Sequence, residues 1–287
     1  MLYELRRYDV AASKLPALVD RFGSFTVHKW KEYGFRLIGF WTPVVSEKSN
    51  QVVYIWGWES YEERTKKNAA WRADPERAKK WAETEKDGPL VNRVYNQLME
   101  PTAYSQLDRG EAYGPDAATR SPYIFELREY QAMPGKITNI SDRFGGFTCG
   151  AFKKHGFRQV GYWLNRIGGN DHQLIYLLAW ESLDERVAKF DGFAKDPERA
   201  RVFAESEKNG PIVQQVANTI LRPTAFSTFD LAVLEPVRDY KARHASTLLV
   251  FDAVEMALAE AESKRANGGR AGGRGGEAAG AEACDRR

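Results

Sequence analysis

The chain repeats itself. Residues 3–108 and 125–230 align at a constant offset of 122 with no gap, and about 44 of the 106 aligned positions are identical. The shared blocks span the whole length: ELRRY against ELREY (4–8, 126–130), DRFGSFT against DRFGGFT (20–26, 142–148), WES against WES (58–60, 180–182), DPERA against DPERA (74–78, 196–200) and EPTAYSQLD against RPTAFSTFD (100–108, 222–230). Such a duplication constrains the fold strongly, because each copy must be a domain-sized unit that accommodates a second copy beside it. The period is too long for a solenoid, whose repeats run to about 20–50 residues. This gives domains over 1–108 and 123–230, a polar Gly/Pro-containing linker over 109–122, a helical extension over 231–266 and a tail over 267–287.

Each copy reads in the same order. Tyr3 to Val10 alternates and is β-prone. From Lys14, Leu15, Leu18, Phe22, Phe25 and Tyr33 recur at helical spacing, and Gly34 supplies a C-terminal stop. Phe35–Trp41 and Gln51–Trp58 make two strands joined by a polar hairpin. Ser60 with Glu63, and Ser182 with Glu185, start a helix as capping boxes. Asp74–Pro75 and Asp196–Pro197 start another, and Val91–Met99 is a fourth strand. The order βαββααβ is an α+β, ferredoxin-like unit with helices on one sheet face. The bare face needs a cover, so the two sheets are expected to pack face to face within the chain.

Composition excludes several function classes. The formal charge is only +3 and basic and acidic residues are interspersed, which argues against a nucleic-acid partner. No apolar run is long enough for a membrane span, and MLYELRRYDV lacks the apolar core of a signal peptide. Cys149 and Cys284 have neither disulfide nor metal spacing, so a reducing, cytoplasmic setting is expected.

The blocks YELRRY/FELREY, the strand ends GFW/GYW, QVVYIWGWES-x-EER, the DPE helix and the final EPTAYS/RPTAFS segment resemble the NIPSNAP family over both repeats. The resemblance implies the dimeric α/β-barrel superfamily, in which two ferredoxin-like units join their sheets. That superfamily includes cofactor-independent monooxygenases, isomerases, dehydratases and haem-binding enzymes. It also implies an alternative, a non-catalytic scaffold of the kind known among animal NIPSNAP proteins.

Alternation along the first strand puts Glu4, Arg6 and Tyr8 on one face, repeated as Glu126, Arg128 and Tyr130. A charged row on a covered face is unusual, because burying a charge without a partner is costly. Two readings follow: a structural ion pair, or a catalytic row lining a ligand pocket. By the resemblance, such a pocket lies between sheet and helices. Its expected ligand-binding residues are Thr26, Trp41, Tyr54 and Trp58 in the first copy and Thr148, Trp163, Tyr176 and Trp180 in the second. A tyrosine beside an arginine can orient a carbonyl or phenolate, or act as an acid. Gly23 and Gly145 lie inside the first helix, where glycine costs about 1 kcal/mol relative to alanine, and so suggest a close approach by a neighbour or a ligand.

No two of His28, His155, His172 and His244 are spaced as metal ligands, and no phosphate-binding loop, dinucleotide fingerprint or nucleophile elbow is present. The expectation is a small-molecule ligand with no metal or nucleotide cofactor, a haem held by His155 being the alternative. Arg7 aligns with Glu129 on the face turned to the other sheet, so these two are expected to pair. Residues 247–265 read as an amphipathic helix with the stripe Leu248, Phe251, Val254 and Leu258. It is expected to dock on the barrel or on another subunit, the latter giving a homo-oligomer. The Gly/Ala/Arg/Glu tail beyond it is expected to be disordered.

Overall fold

The computed structural model describes residues 1–48, 50–107 and 124–227. The expected linker, the C-terminal helix with its apolar stripe and the oligomer through it, and the tail lie outside the described residues.

The first repeat runs β1 (Leu2–Val10), α1 (Leu15–Arg21), α2 (Val27–Glu32), β2 (Arg36–Val45), β3 (Gln51–Trp58), α3 (Tyr61–Ala73), α4 (Pro75–Thr84) and β4 (Val91–Pro101). The second runs β5 (Ile124–Ala132), α5 (Ile137–Arg143), α6 (Cys149–Lys154), β6 (Arg158–Ile167), β7 (Gln173–Trp180), α7 (Leu183–Ala194), α8 (Pro197–Ser206) and β8 (Val213–Pro223). Helix starts sit where the caps predict. Ser60 and Ser182 accept from the backbone N–H groups of Glu63 and Glu185, both at 3.1 Å. Asp74 accepts from Glu76 and Arg77, and Asp196 from Glu198.

The first helix departs from the expected single run. A π-helical turn, Phe22–Thr26 or Phe144–Thr148, separates α1 from α2 and α5 from α6. The Thr26 hydroxyl donates to the Arg21 carbonyl five residues back, at 3.2 Å. Apolar spacing near 3.6 cannot register one wide turn, so the pattern read as uninterrupted.

The eight strands close into one barrel in the order β1-β3-β2-β8-β5-β7-β6-β4. Face-to-face packing therefore understates the union of the two sheets. They also join edge to edge, β2 antiparallel to β8 and β4 antiparallel to β6, which removes all four open edges. Inside, Tyr3, Leu5, Val53 and Ile55 meet their counterparts from the second repeat in one core. Arg7 and Glu129 pair across it at 2.7 Å, as their alignment predicts. Outside, the helices cover a separate apolar cluster on each repeat.

The repeats also exchange the segments that follow β4 and β8. Tyr104 packs on Gly145 while the Ser105 hydroxyl accepts from the Tyr162 N–H at 3.1 Å. Phe226 packs on Gly23 while the Ser227 hydroxyl accepts from the Phe40 N–H at 2.8 Å. A Cβ on Gly23 would lie 2.6 Å from the Phe226 ring, so both glycines admit an aromatic from the other repeat.

Candidate functional site

β1 lies between β3 and β4, and its outward side chains Glu4, Arg6 and Tyr8 run beneath the helices. Glu4 is fully buried. It accepts from Arg6 Nη1 at 2.9 Å, from Arg64 Nε and Nη2 at 2.7 and 2.8 Å, and from Trp58 Nε1 at 3.2 Å. Four donors occupy the acceptor sites of the carboxylate, so Glu4 anchors its surroundings and has no lone pair to act as a base. Glu126 repeats the arrangement with Arg128 at 2.7 Å, Arg186 at 2.9 and 2.8 Å, and Trp180 at 3.1 Å, adding Asn218 at 3.3 Å. Burial pushes the Glu126 carboxyl up, but the hydrogen bond from Arg186 and the charge of Arg128 outweigh it and hold it below the usual carboxylate range.

Arg64 and Arg186 escaped the sequence reading. Their signal was the recurrence of Glu-Glu-Arg and Asp-Glu-Arg one turn into α3 and α7, but strand alternation says nothing about which helical residue sits above β1.

Above Arg6 and Tyr8 the first repeat holds a partly open cavity of about 100 Å³. That is room for about three water molecules or one small planar group. Phe22, Trp30, Trp56, Trp71 and Trp81 form apolar walls. Thr26, Asn68, Arg72 and Arg77 add polar groups to those of Arg6 and Tyr8. Arg6 Nη2 donates to the Tyr8 oxygen at 3.2 Å, and the Tyr54 hydroxyl donates to the same oxygen at 2.9 Å. Tyr8 therefore accepts twice and keeps its own hydrogen to give away. Burial pushes the Tyr54 hydroxyl well above its ordinary value, against the pull of the Arg6 charge, so it remains a donor. The buried Nε of Arg6 has no hydrogen-bond partner among the described residues.

Arg77 lies with its guanidinium 4.5 Å from the Trp81 ring centre and 5.5 Å from that of Trp71, and its Nε is likewise buried without a partner. Burial, and then the like charge of Arg72, lower its affinity for its proton. Among the described residues, neither Arg72 nor Arg77 forms an ion pair with a carboxylate.

The second repeat differs here. Positions of Trp56, Asn68, Trp71, Arg72 and Trp81 are taken by Leu178, Phe190, Phe193, Ala194 and Phe203. The Phe190 ring centre lies 4.8 Å from the Arg128 guanidinium and 4.7 Å from that of Arg186. Arg128 spends its Nε on the Tyr176 hydroxyl at 2.8 Å and its Nη2 on Tyr130 at 3.4 Å. Phe190 thus occupies the space that Asn68 leaves open.

Of the expected pocket residues in the first repeat, Arg6, Tyr8 and Thr26 line the cavity, while Tyr54 and Trp58 stand behind them as donors to Tyr8 and Glu4. In the second repeat Trp180 likewise donates to Glu126, whereas the Tyr176 hydroxyl accepts from Arg128 Nε, and Thr148 is buried within its π-turn. Trp41 and Trp163 need correction: they point into the barrel, where Trp41 packs on Phe125 and Trp163 on Tyr3, each at 5.5 Å between ring centres. A register shift between Leu37 and Gly39, and between Gln159 and Gly161, inserts one residue and inverts the alternation beyond it.

His155 stands where the first repeat has Tyr33, and its Nε2 meets Asp196 Oδ2 at 2.9 Å, as the Tyr33 hydroxyl meets Asp74. Its Nε2 is tied to the Asp196 helix cap, so these residues do not fit a haem. Among the described residues no group of three His, Cys, Asp or Glu side chains is placed to hold a metal. Burial pushes the Cys149 thiol up to about 12, which leaves it a poor nucleophile.

Two βαββααβ units closing one antiparallel barrel, with helices outside and a cavity beneath them, define a dimeric α/β barrel built within a single chain. The chain belongs to the NIPSNAP family, whose profile matches residues 3–106 and 125–228. NipSnap homolog 3A from Homo sapiens is 24% identical over 230 residues, covering 79% of this chain and 85% of that protein. A candidate monooxygenase from Lactobacillus acidophilus shares the fold at a TM-score of 0.51 and 11% identity, covering 79% of this chain and 97% of its own. An anthrone oxidase-like protein does so at 0.51 and 14%, covering 79% and 92%. At these identities the two structures speak for fold alone. Among the described residues no helix is long and apolar enough to cross a membrane.

Proposed function

We propose that this NIPSNAP chain binds a small organic molecule between the sheet and helices of its first repeat, with the second repeat serving as scaffold. The observation that carries this reading is the unused donor capacity at the cavity. Arg6 Nε is buried with no partner among the described residues, the Tyr8 oxygen accepts two hydrogen bonds and so can donate its own hydrogen, and both groups sit on a strand fixed by the Glu4 network. A buried donor left unmade costs about 1–3 kcal/mol, which a ligand oxygen would recover. Tyr8 and Arg6 would orient a carbonyl or phenolate oxygen, and aromatic walls would hold the rest of the molecule. Any reaction would draw on the substrate's own chemistry, with Tyr8 as hydrogen-bond donor or acid.

The test compares wild-type protein with Asn68→Phe and Phe190→Asn by ligand-observed NMR against a panel of single-ring fragments. Phe190 shows that the same scaffold accepts phenylalanine at this position, so Asn68→Phe should fold. We expect fragments that bind wild type and Phe190→Asn but not Asn68→Phe. Equal binding to wild type and Asn68→Phe would overturn the cavity as the binding site.

A further inference from the structure

The cavity carries more positive charge than the protein neutralises. Arg6, Arg72 and Arg77 line it, and Arg21 and Arg64 lie next to these residues through Trp81 and Glu4. Glu4 is shared between Arg6 and Arg64, and Glu85 pairs with Arg21 at 2.7 Å. Arg72 and Arg77 remain, both at the cavity and both without an ion pair among the described residues. Their mutual repulsion is part of what lowers the proton affinity of Arg77. Arg72 is exposed and Arg77 half-buried, so the two cations stand at the mouth of the tryptophan-walled recess, and with no carboxylate between them they give it a potential that attracts an anion.

The second repeat supplies a control within the same chain. Where Phe190 fills the space of Asn68, Ala194 replaces Arg72. The spare arginine is absent where Phe190 stands in place of Asn68, although the Glu126 anchor and Arg199, the counterpart of Arg77, are retained. A purely structural role for Arg72 would not link it to the open cavity.

We infer that the first-repeat cavity selects a small planar molecule bearing a carboxylate, the carboxylate held by Arg72 and Arg77 and the flat body stacked among the tryptophans; the inference rests on that cavity being a ligand site. A guanidinium presents paired N–H groups that match the two oxygens of a carboxylate. The flat walls of Trp30, Trp56, Trp71 and Trp81 suit a planar apolar body. The volume limits the enclosed part of the molecule to a single small ring, with its carboxylate end at the mouth beside the exposed Arg72.

Three probes separate the parts of this proposal in isothermal titrations of the full chain: benzoate, benzamide as its neutral shape analogue, and inorganic phosphate. Benzoate should bind saturably and at least about ten-fold more tightly than benzamide, and added salt should weaken benzoate alone. Arg72→Ala should fold, since Ala194 occupies the equivalent position, and should cost benzoate about ten-fold while leaving benzamide unchanged. Equal affinity for benzoate and benzamide, indifference of benzoate to Arg72→Ala, or no saturable benzoate binding each overturns the carboxylate assignment. Phosphate binding as tightly as benzoate overturns the planar body. Benzamide binding that Asn68→Phe abolishes would leave the cavity standing while its charge preference fell. Fragment binding indifferent to Asn68→Phe would mean that the cavity reading itself had failed.

Discussion

In the first repeat, the space above Arg6 is bounded by Asn68, Arg72 and tryptophan rings and remains open. In the second, Phe190, Ala194 and phenylalanine rings stand at the same positions and Phe190 lies across Arg128. Beneath that layer the two halves agree almost atom for atom. Glu4 and Glu126 each take a bidentate arginine from the helix above, a second arginine two residues along the strand and a tryptophan indole. The residues that the copies share hold the barrel and its anchor; the residues in which they differ decide what stands over Arg6 and Arg128. In a duplicated chain of this kind, identity between copies reports what folding requires, and divergence points to the site.

The largest expected effect tests the shared layer. Glu4→Gln and Glu126→Gln each leave two half-buried arginines without a counter-charge and should cost about 2–4 kcal/mol in urea unfolding, somewhat below the loss for a fully buried pair, to a similar extent in both halves. Replacing Glu4 by Gln and Arg6 by Met together should not restore stability, because Arg64 stays unpaired; adding Arg64→Met should. A marked inequality between the two single mutants would show that the anchors are not equivalent. The Glu126 carboxyl is held below its unfolded value near 4.5, so its contribution is complete above that pH and is lost as the pH falls through and below it. Glu126→Gln should flatten the stability profile in that acid window.

The next effect exchanges the layers that differ. Phe190→Asn should cost about 3 kcal/mol by opening a void, whereas Asn68→Phe should be close to neutral. Equal and opposite penalties would mean that the first-repeat cavity is an accident of packing rather than a space the structure maintains.

Smaller effects probe the π-turns. Gly23→Ala drives a Cβ against Phe226 and should cost about 1–3 kcal/mol in a denaturant melt. Gly146, where the first repeat has Ser24, has nothing within 4 Å of a built Cβ, so Gly146→Ala should gain about 0.5–1 kcal/mol. Destabilisation by both changes would show that the turns themselves, and not the aromatic neighbours, demand glycine.

Much of the scaffold was legible because it depends on local rules. Caps at Ser60 and Asp74 mark helix starts by composition, and the charge inversion at Arg7 and Glu129 was readable once alternation fixed their face. Alternation failed at Trp41 and Trp163 because a bulge inserts one residue that no residue type in the strand announces. Arg64 was hidden because its partner lies 60 positions away and depends on how α3 lies across β1. The cavity was least legible, since it arises from small differences at positions 56, 68, 72 and 81 that acquire meaning only once the helices are in place.

The crossed seams of the barrel set an order of events during synthesis. β2 ends at Val45, yet the strand that satisfies its outer edge, β8, runs from Val213 to Pro223. At about 5–20 residues per second, the first half waits on the order of ten seconds or more with that edge unpaired. The edge of β4 waits for β6 in the same way, and the cleft at Gly23 waits for Phe226. Repeat one therefore leaves the ribosome as an incomplete object. Its missing parts are in its own unsynthesised half, or equally in the finished second half of a neighbouring nascent chain. The spacing of ribosomes on the message thus bears on whether two barrels emerge singly or interlocked.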